Sequence, residues 1–278
     1  MLEIPESKTI GLQADAHLAG KTIIDVITAS SVHKFAWYNG DPADYHKMLV
    51  GKRIESAKGH GMFVDLYCNG NTTITIGDGT NMRYCTADAP YKGKHQLLIV
   101  LDDNTYLVFT VAMYGAIYAF QGTFDNKYYT GSINSISPLS DDFNEEFFEN
   151  IFRSIEKDIS VKALLATEQR IPGLGNGVLQ DILFNARINP KNKKSTLKDS
   201  DKNKLFQSIK TTLKDMADKG GRDTEKNLFG MPGGYKTILS KNTLAQPCPV
   251  CGDSIVKEAY LGGAVYYCPT CQQIKKVK

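Results

Sequence analysis

Short runs of β-branched and aromatic residues, broken by turn residues, dominate the first half of the chain. Phe63–Tyr67, Thr72–Ile76, Gln96–Leu101 and Thr105–Val111 are each predicted to be strands. Asn69-Gly70-Asn71 and Asp102-Asp103-Asn104 lie between them and carry hairpin-turn chemistry. Ahead of the strands, Ile10, Ala14 and His17-Leu18 recur at helical spacing and predict a helix over Pro5–Ala19, with Gly11 arguing against it. Several short strands with regular turns point to a sandwich or barrel.

The period changes after Ser132–Asp142, whose serines, aspartates and proline read as a linker. Helices are predicted over Phe143–Arg153, Ser160–Thr167, Gly177–Ala186 and Lys198–Lys219, the last stopped by Gly220-Gly221. Val161, Leu164 and Leu165 form one apolar stripe, and Val178, Leu179, Ile182 and Leu183 another. The expected fold is α+β. A β-sandwich covers residues 1–131, a helical domain 142–239 and a small cysteine-bearing unit 240–278.

At 278 residues the chain suits two domains, and 42% hydrophobic with 23% charged residues is ordinary for a soluble protein. No apolar run is long enough for a bilayer and no signal peptide opens the chain, so a cytoplasmic location is expected. A net charge of +3 is weak evidence for nucleic acid. From Lys241 onward, however, five lysines face only Asp253 and Glu258, a balance that suits a phosphate backbone or a solvated tail. The five histidines have no metal-ligand spacing and are read as structural or solvated.

Cys68 and Cys85 stand alone in strand-like sequence and read as small buried residues. The other four cysteines carry more information. Cys248-Pro-Val-Cys251 and Cys268-Pro-Thr-Cys271 are two C-x-x-C knuckles with sixteen residues between them. Two such knuckles complete a tetrahedral thiolate site, so one structural Zn²⁺ is expected, with no open position for catalysis. Ser254–Tyr267 reads as a hairpin turning at Gly262-Gly263, too small to fold without the metal. Zinc ribbons bind DNA, RNA and proteins alike, so this unit does not name a function.

Ile171-Pro-Gly-Leu-Gly-Asn-Gly177 joins two predicted helices. Asn176 stands at a helix N-terminus, where exposed amides favour a phosphate. The alternative is a tight glycine-rich corner with Asn176 as helix cap.

Taken together, these segments resemble the formamidopyrimidine-DNA glycosylase/endonuclease VIII family. Lys162–Asn176 is similar to its helix–two-turn–helix, and Ala186-Arg-Ile-Asn-Pro190 to the exit from the second helix. The cysteine spacing, ending in Cys271-Gln272, also matches. Leu2-Glu3-Ile4-Pro5-Glu6 resembles the family's opening, and Arg53–Val64 its hairpin, with Lys58 at the basic position. The resemblance implies a monomer that binds double-stranded DNA carrying a damaged or abasic site in the cleft between two domains. It implies excision of a flipped base, with possible strand cleavage as an AP lyase. Asn176 and Lys58 would contact phosphates, and Gly220-Gly221-Arg222-Asp223 falls at a mobile loop over the flipped base.

The chain departs from the family at several places. The family's nucleophile is an N-terminal proline, and Leu2 stands there. A bulky second residue disfavours removal of Met1, so the candidate amines are those of Met1, of Leu2 if processed, and of Lys58. Glu3 holds the position of the catalytic carboxylate and would activate a water if no amine attacks. The finger's arginine is replaced by Gly263. The segment that fills the gap left by the flipped base aligns with Thr110–Gly115, where Ala112 and Met113 replace arginines and Tyr114 keeps an aromatic wedge. A second wedge, a methionine, is replaced near Asp78. Three readings follow: a DNA glycosylase with altered lyase chemistry, a damaged-DNA-binding protein of the same fold without the reaction, and a zinc-ribbon RNA binder.

Overall fold

The computed structural model describes residues 2–77 and 79–276. The chain divides into two compact units. One comprises the chain up to Ile133 together with Gly220–Gly234, and the other Asn134–Lys219 and the chain from Tyr235 onward.

In the first unit, α1 (Ile4–Leu18) is followed by β1 (Ile23–Thr28), β2 (Ala36–Trp37) and α2 (Tyr45–Leu49). Then come β3 (Ile54–His60), β4 (Phe63–Cys68), β5 (Thr72–Ile76), β6 (Thr80–Cys85), β7 (Leu97–Leu101), β8 (Tyr106–Val111), β9 (Gly115–Gln121) and α3 (Lys127–Asn134). The strands form two sheets, ordered β1-β7-β8-β6 and β2-β9-β5-β4-β3, antiparallel except where β2 meets β9. Both turn pairs predicted as hairpins join antiparallel strands, β4 to β5 and β7 to β8. Asn71 and Asn104 take left-handed backbone there, which asparagine tolerates better than most residues. One core unites both sheets and α1, drawing on Leu18, Ile54, Leu66, Ile76, Ile99 and Phe109. The expected sandwich is therefore the one observed.

The helix over the N-terminal segment contains Gly11 because it must lie against β3. A Cβ at Gly11 would sit 2.2 Å from the Gly59 nitrogen, and one at Gly59 would sit 1.9 Å from the Ser7 carbonyl oxygen. Facing glycines let two backbones meet where any side chain would hold them apart.

The second unit contains α4 (Glu145–Arg153), α5 (Val161–Ala166), α6 (Asn176–Ala186), α7 (Asp199–Asp218) and a hairpin of β10 (Val256–Tyr260) and β11 (Gly263–Tyr267). Asn144 and Ser160 cap α4 and α5 by accepting from the Phe147 and Ala163 amides. The predicted stripes of α5 and α6 are buried. The hairpin turns at Leu261-Gly262, both left-handed, one residue before the predicted glycine pair. Segment 220–234, read from the sequence as the end of the helical domain, packs with the sandwich unit instead. No helix among the described residues is long and apolar enough to cross a membrane.

Candidate nucleic-acid interface and metal centre

In the first unit the N-terminal residues are built into the protein. Leu2 is buried in the sandwich core, and Glu3 precedes the first turn of α1 in extended backbone. Pro5 sits in that first turn, where its missing N–H costs nothing. The Glu3 carboxylate makes no capping bond and lies 3.4 Å from Arg222 Nη1. Glu6, one turn on, accepts from Arg222 Nε at 3.0 Å, Nη2 at 2.8 Å and the backbone amide at 3.0 Å. All three side chains are no more than 4% exposed. Burial works against the Arg222 charge. The carboxylates of Glu3, Glu6 and Glu225 override it and raise its pKa. Arg222 thus anchors the segment expected to be a loop over the flipped base, a role its sequence position did not reveal.

Leu2 and Glu6 line a cavity of about 340 Å³ whose wall also includes Asn81, Arg83, Thr110 and Glu225. Most of that lining is polar, and the volume lies at the small end of ligand pockets. Lys58 is exposed on β3, one residue before the Gly59 contact with α1. Tyr114 lies beside Trp37, with ring centroids 5.9 Å apart. Met1 and Asp78 fall outside the described residues.

Sequence reasoning missed a polar cluster under β3. Asp65 is fully buried, and its Oδ2 meets His60 Nε2 and accepts from Tyr67 and Tyr129 hydroxyls, each at 2.9 Å. Burial, with the nearby Asp65 charge, raises the pKa of both tyrosines. His60 is thereby a structural residue held against the sheet. Cys68 and Cys85 are buried thiols as expected, and burial pushes Cys68 up to about 12.

In the second unit, two turns join α5 to α6. Glu168, Gln169 and Gly173 take left-handed backbone there, and Arg170 Nη1 donates to the Ala163 carbonyl at 2.8 Å. Asn176 is the first residue of α6 rather than its cap, which is Gly175. Its Nδ2 donates to the Ala264 carbonyl of β11 at 2.8 Å, and its Oδ1 is buried without a hydrogen-bond partner. A Cβ at Gly263 would lie 3.4 Å from that Nδ2 and 3.6 Å from Lys162 Nζ. Lys162 is buried, donates to the Tyr260 carbonyl at 2.6 Å, and has its pKa lowered by burial. Gly263 and Asn176 are therefore brought together.

The four predicted metal ligands converge. The sulfurs of Cys248, Cys251, Cys268 and Cys271 all lie within 4.8 Å of one another. Cys248–Cys271 and Cys251–Cys268 are 3.8 and 3.4 Å apart. A tetrahedron with metal–sulfur bonds of about 2.3 Å has edges of roughly 3.8 Å, so the set fits a tetrahedral thiolate-bound ion. Gln272 is fully buried, accepts from the Cys268 amide at 3.0 Å and donates to the Ile188 carbonyl at 2.9 Å. The Asn189 side chain donates to its carbonyl at 2.8 Å. The exit from α6 and the last knuckle, noted separately in the sequence, are thus one hydrogen-bonded piece.

Residues 135–227 match the family model described as the formamidopyrimidine-DNA glycosylase H2TH domain. A formamidopyrimidine-DNA glycosylase of Pelotomaculum thermopropionicum is 27% identical over 99% of this chain and 100% of its own length. The chain is thus similar to formamidopyrimidine-DNA glycosylases along almost its whole length. Its fold is also that of solved family structures. A Lactococcus lactis Fpg in complex with DNA containing an abasic site aligns with a TM-score of 0.83 at 21% identity, over 98% of this chain and 99% of that one. The MutM (Fpg) protein of Thermus thermophilus aligns at 0.80 with 22% identity, over 99% and 100%. Glu3 and Glu6 meet at Arg222 and the four cysteines converge, whereas Leu2 stands where the resemblance expects proline.

Proposed function

We propose that the protein binds damaged double-stranded DNA and excises a damaged base, as a DNA glycosylase of base-excision repair. The observation that carries this reading is the placement of Leu2 and Glu3. Leu2 and Glu6 line a cavity of about 340 Å³, and Glu3, next to Leu2 in the chain, is a buried carboxylate 3.4 Å from Arg222. A carboxylate fixed in a dry site stabilises positive charge developing on the sugar as the glycosidic bond breaks, and needs no reorganisation to do so. Glu3 is the residue proposed for that role. An attacking amine would come from the N-terminus or from Lys58, exposed on the strand that packs on α1.

Asn176 and Lys58 are proposed to position the DNA backbone, with Tyr114 as the wedge and Gly263 leaving the finger without an arginine contact. Asn176 would have to exchange its bond to Ala264 for a phosphate. The four thiolates are proposed to hold one structural Zn²⁺, which would stabilise the hairpin and do no chemistry. A second reading, a damaged-DNA-binding protein of the same fold without the reaction, is favoured by the buried Leu2 side chain at the expected proline position.

The test is single-turnover incubation with duplexes carrying one oxidised purine, following base release chromatographically. Release by the wild type, reduced at least about 100-fold in Glu3→Gln, supports the glycosylase. Tight binding with no release of any oxidised base leaves the binding protein.

A further inference from the structure

An exposed aromatic surface on the sandwich unit is not explained by the core or by the cavity. Trp37 is 48% exposed, Phe35 49% and Met113 67%. They come from two places in the chain that β2 and β9 hold together: Ala36 pairs with Gly115, Trp37 with Ala116, and the Gly115 amide donates to the Phe35 carbonyl at 2.9 Å. Trp37 and Tyr114 lie with ring planes 36° apart. The surface also carries a cation. Lys34 Nζ stands 5.4 Å from the centre of the Phe35 ring.

Large aromatics left in water beside a lysine, with backbone hydrogen bonds fixing their spacing, suit a partner that has flat π-faces and negative charge. An unstacked nucleobase on its phosphate backbone has both. A protein surface would satisfy the aromatics without calling for Lys34.

We propose that Trp37 is a base-stacking residue, which receives an unpaired base of the DNA next to Tyr114 and Met113, while Lys34 meets a backbone phosphate. Resting on the DNA-binding reading above, the proposal adds the residue that compensates for Ala112 and Met113 at positions where arginines were expected. Stacking is indifferent to base identity, so the platform strengthens binding wherever a base has lost its partner and carries little sequence information.

Trp37 is the only tryptophan in the chain, so its fluorescence reports on this site alone. The experiment titrates the full-length protein with a fluorescein-labelled duplex containing a tetrahydrofuran abasic analogue. Anisotropy gives binding, and an unlabelled copy gives Trp37 emission. The expected result is quenching of Trp37 that saturates with binding. Trp37→Ala should bind at least about fivefold more weakly with an unchanged salt slope, and Trp37→Phe should recover most of the loss. Lys34→Ala should lower the salt slope by about 0.9. A merely structural Trp37 would not separate affinity from salt dependence in this way. Binding by anisotropy with unchanged Trp37 emission and equal affinity of Trp37→Ala overturns the proposal and spares the DNA-binding reading. No binding of any duplex overturns both.

Discussion

Replacing Arg222 by alanine would take the guanidinium away from two buried carboxylates, Glu3 and Glu6. The structure sets the size of the effect. The guanidinium makes two hydrogen bonds of 3.0 and 2.8 Å to Glu6 and lies 3.4 Å from Glu3, and water reaches almost none of the three groups. The backbone amide bond to Glu6, at 3.0 Å, survives the substitution. Removing one partner of a buried ion pair costs about 3–5 kcal/mol, mostly because the remaining charge stays desolvated. Against a total stability of about 5–15 kcal/mol this is severe. Trp37 lies in the same unit as the triad, so its emission follows the relevant unfolding. In urea the midpoint should fall by at least about 1 M. Adding Glu3→Gln and Glu6→Gln to Arg222→Ala should recover much of the loss, because both buried side chains are then neutral. A cost below about 1 kcal/mol, or no recovery in the triple variant, would refute the reasoning.

Further predictions follow from other contacts. Gly59→Ala forces a Cβ onto the Ser7 carbonyl, and since neither backbone can yield, a loss of about 3 kcal/mol is expected in the same urea assay. The metal centre should yield one zinc per chain on thiol modification, measured with a colorimetric chelator. Cys248→Ser should abolish amide protection in β10–β11, and retained protection without metal would contradict the site. Asp103 is held down to about 2: burial would raise it, but Lys21 and both donors of Thr105 outweigh that. Its folded pKa is below the unfolded value, so its stabilisation is present above about pH 4 and lost as pH falls through about 2. The pair is partly solvated, so Asp103→Asn should cost no more than about 1 kcal/mol at pH 6 and a small fraction of that at pH 2, by urea titration at the two pH values.

The strands that pattern alone revealed, β4, β5, β7 and β8, are interior strands of their sheets. Four of those it missed, β1, β2, β3 and β6, are sheet edges. Edge strands keep one side free for polar residues, and β3 and β6 read as Ile-Glu-Ser-Ala-Lys-Gly-His and Thr-Asn-Met-Arg-Tyr-Cys, without an apolar run. The interior β9 was hidden by its glycine and alanines. Gly11, an objection to α1 from sequence, became its packing contact with β3. The four cysteines were fully legible because thiolate spacing encodes the geometry directly. Glu3 was legible only through the family resemblance, and Arg222 was not legible as its partner, since 219 positions separate them in the chain. Trp37 was overlooked because nothing local marks a tryptophan as exposed.

The central claim is that the N-terminal site acts on the sugar of a damaged nucleotide. Borohydride trapping on a duplex with a single abasic site tests it most directly, with Lys58→Ala and Glu3→Gln alongside. The account predicts a covalent protein–DNA band for the wild type. Persistence in Lys58→Ala would assign the amine to the N-terminus, and loss would assign it to Lys58. No band for the wild type, with tight retention of the same duplex and no base release from the oxidised-purine duplex, would contradict an excising enzyme.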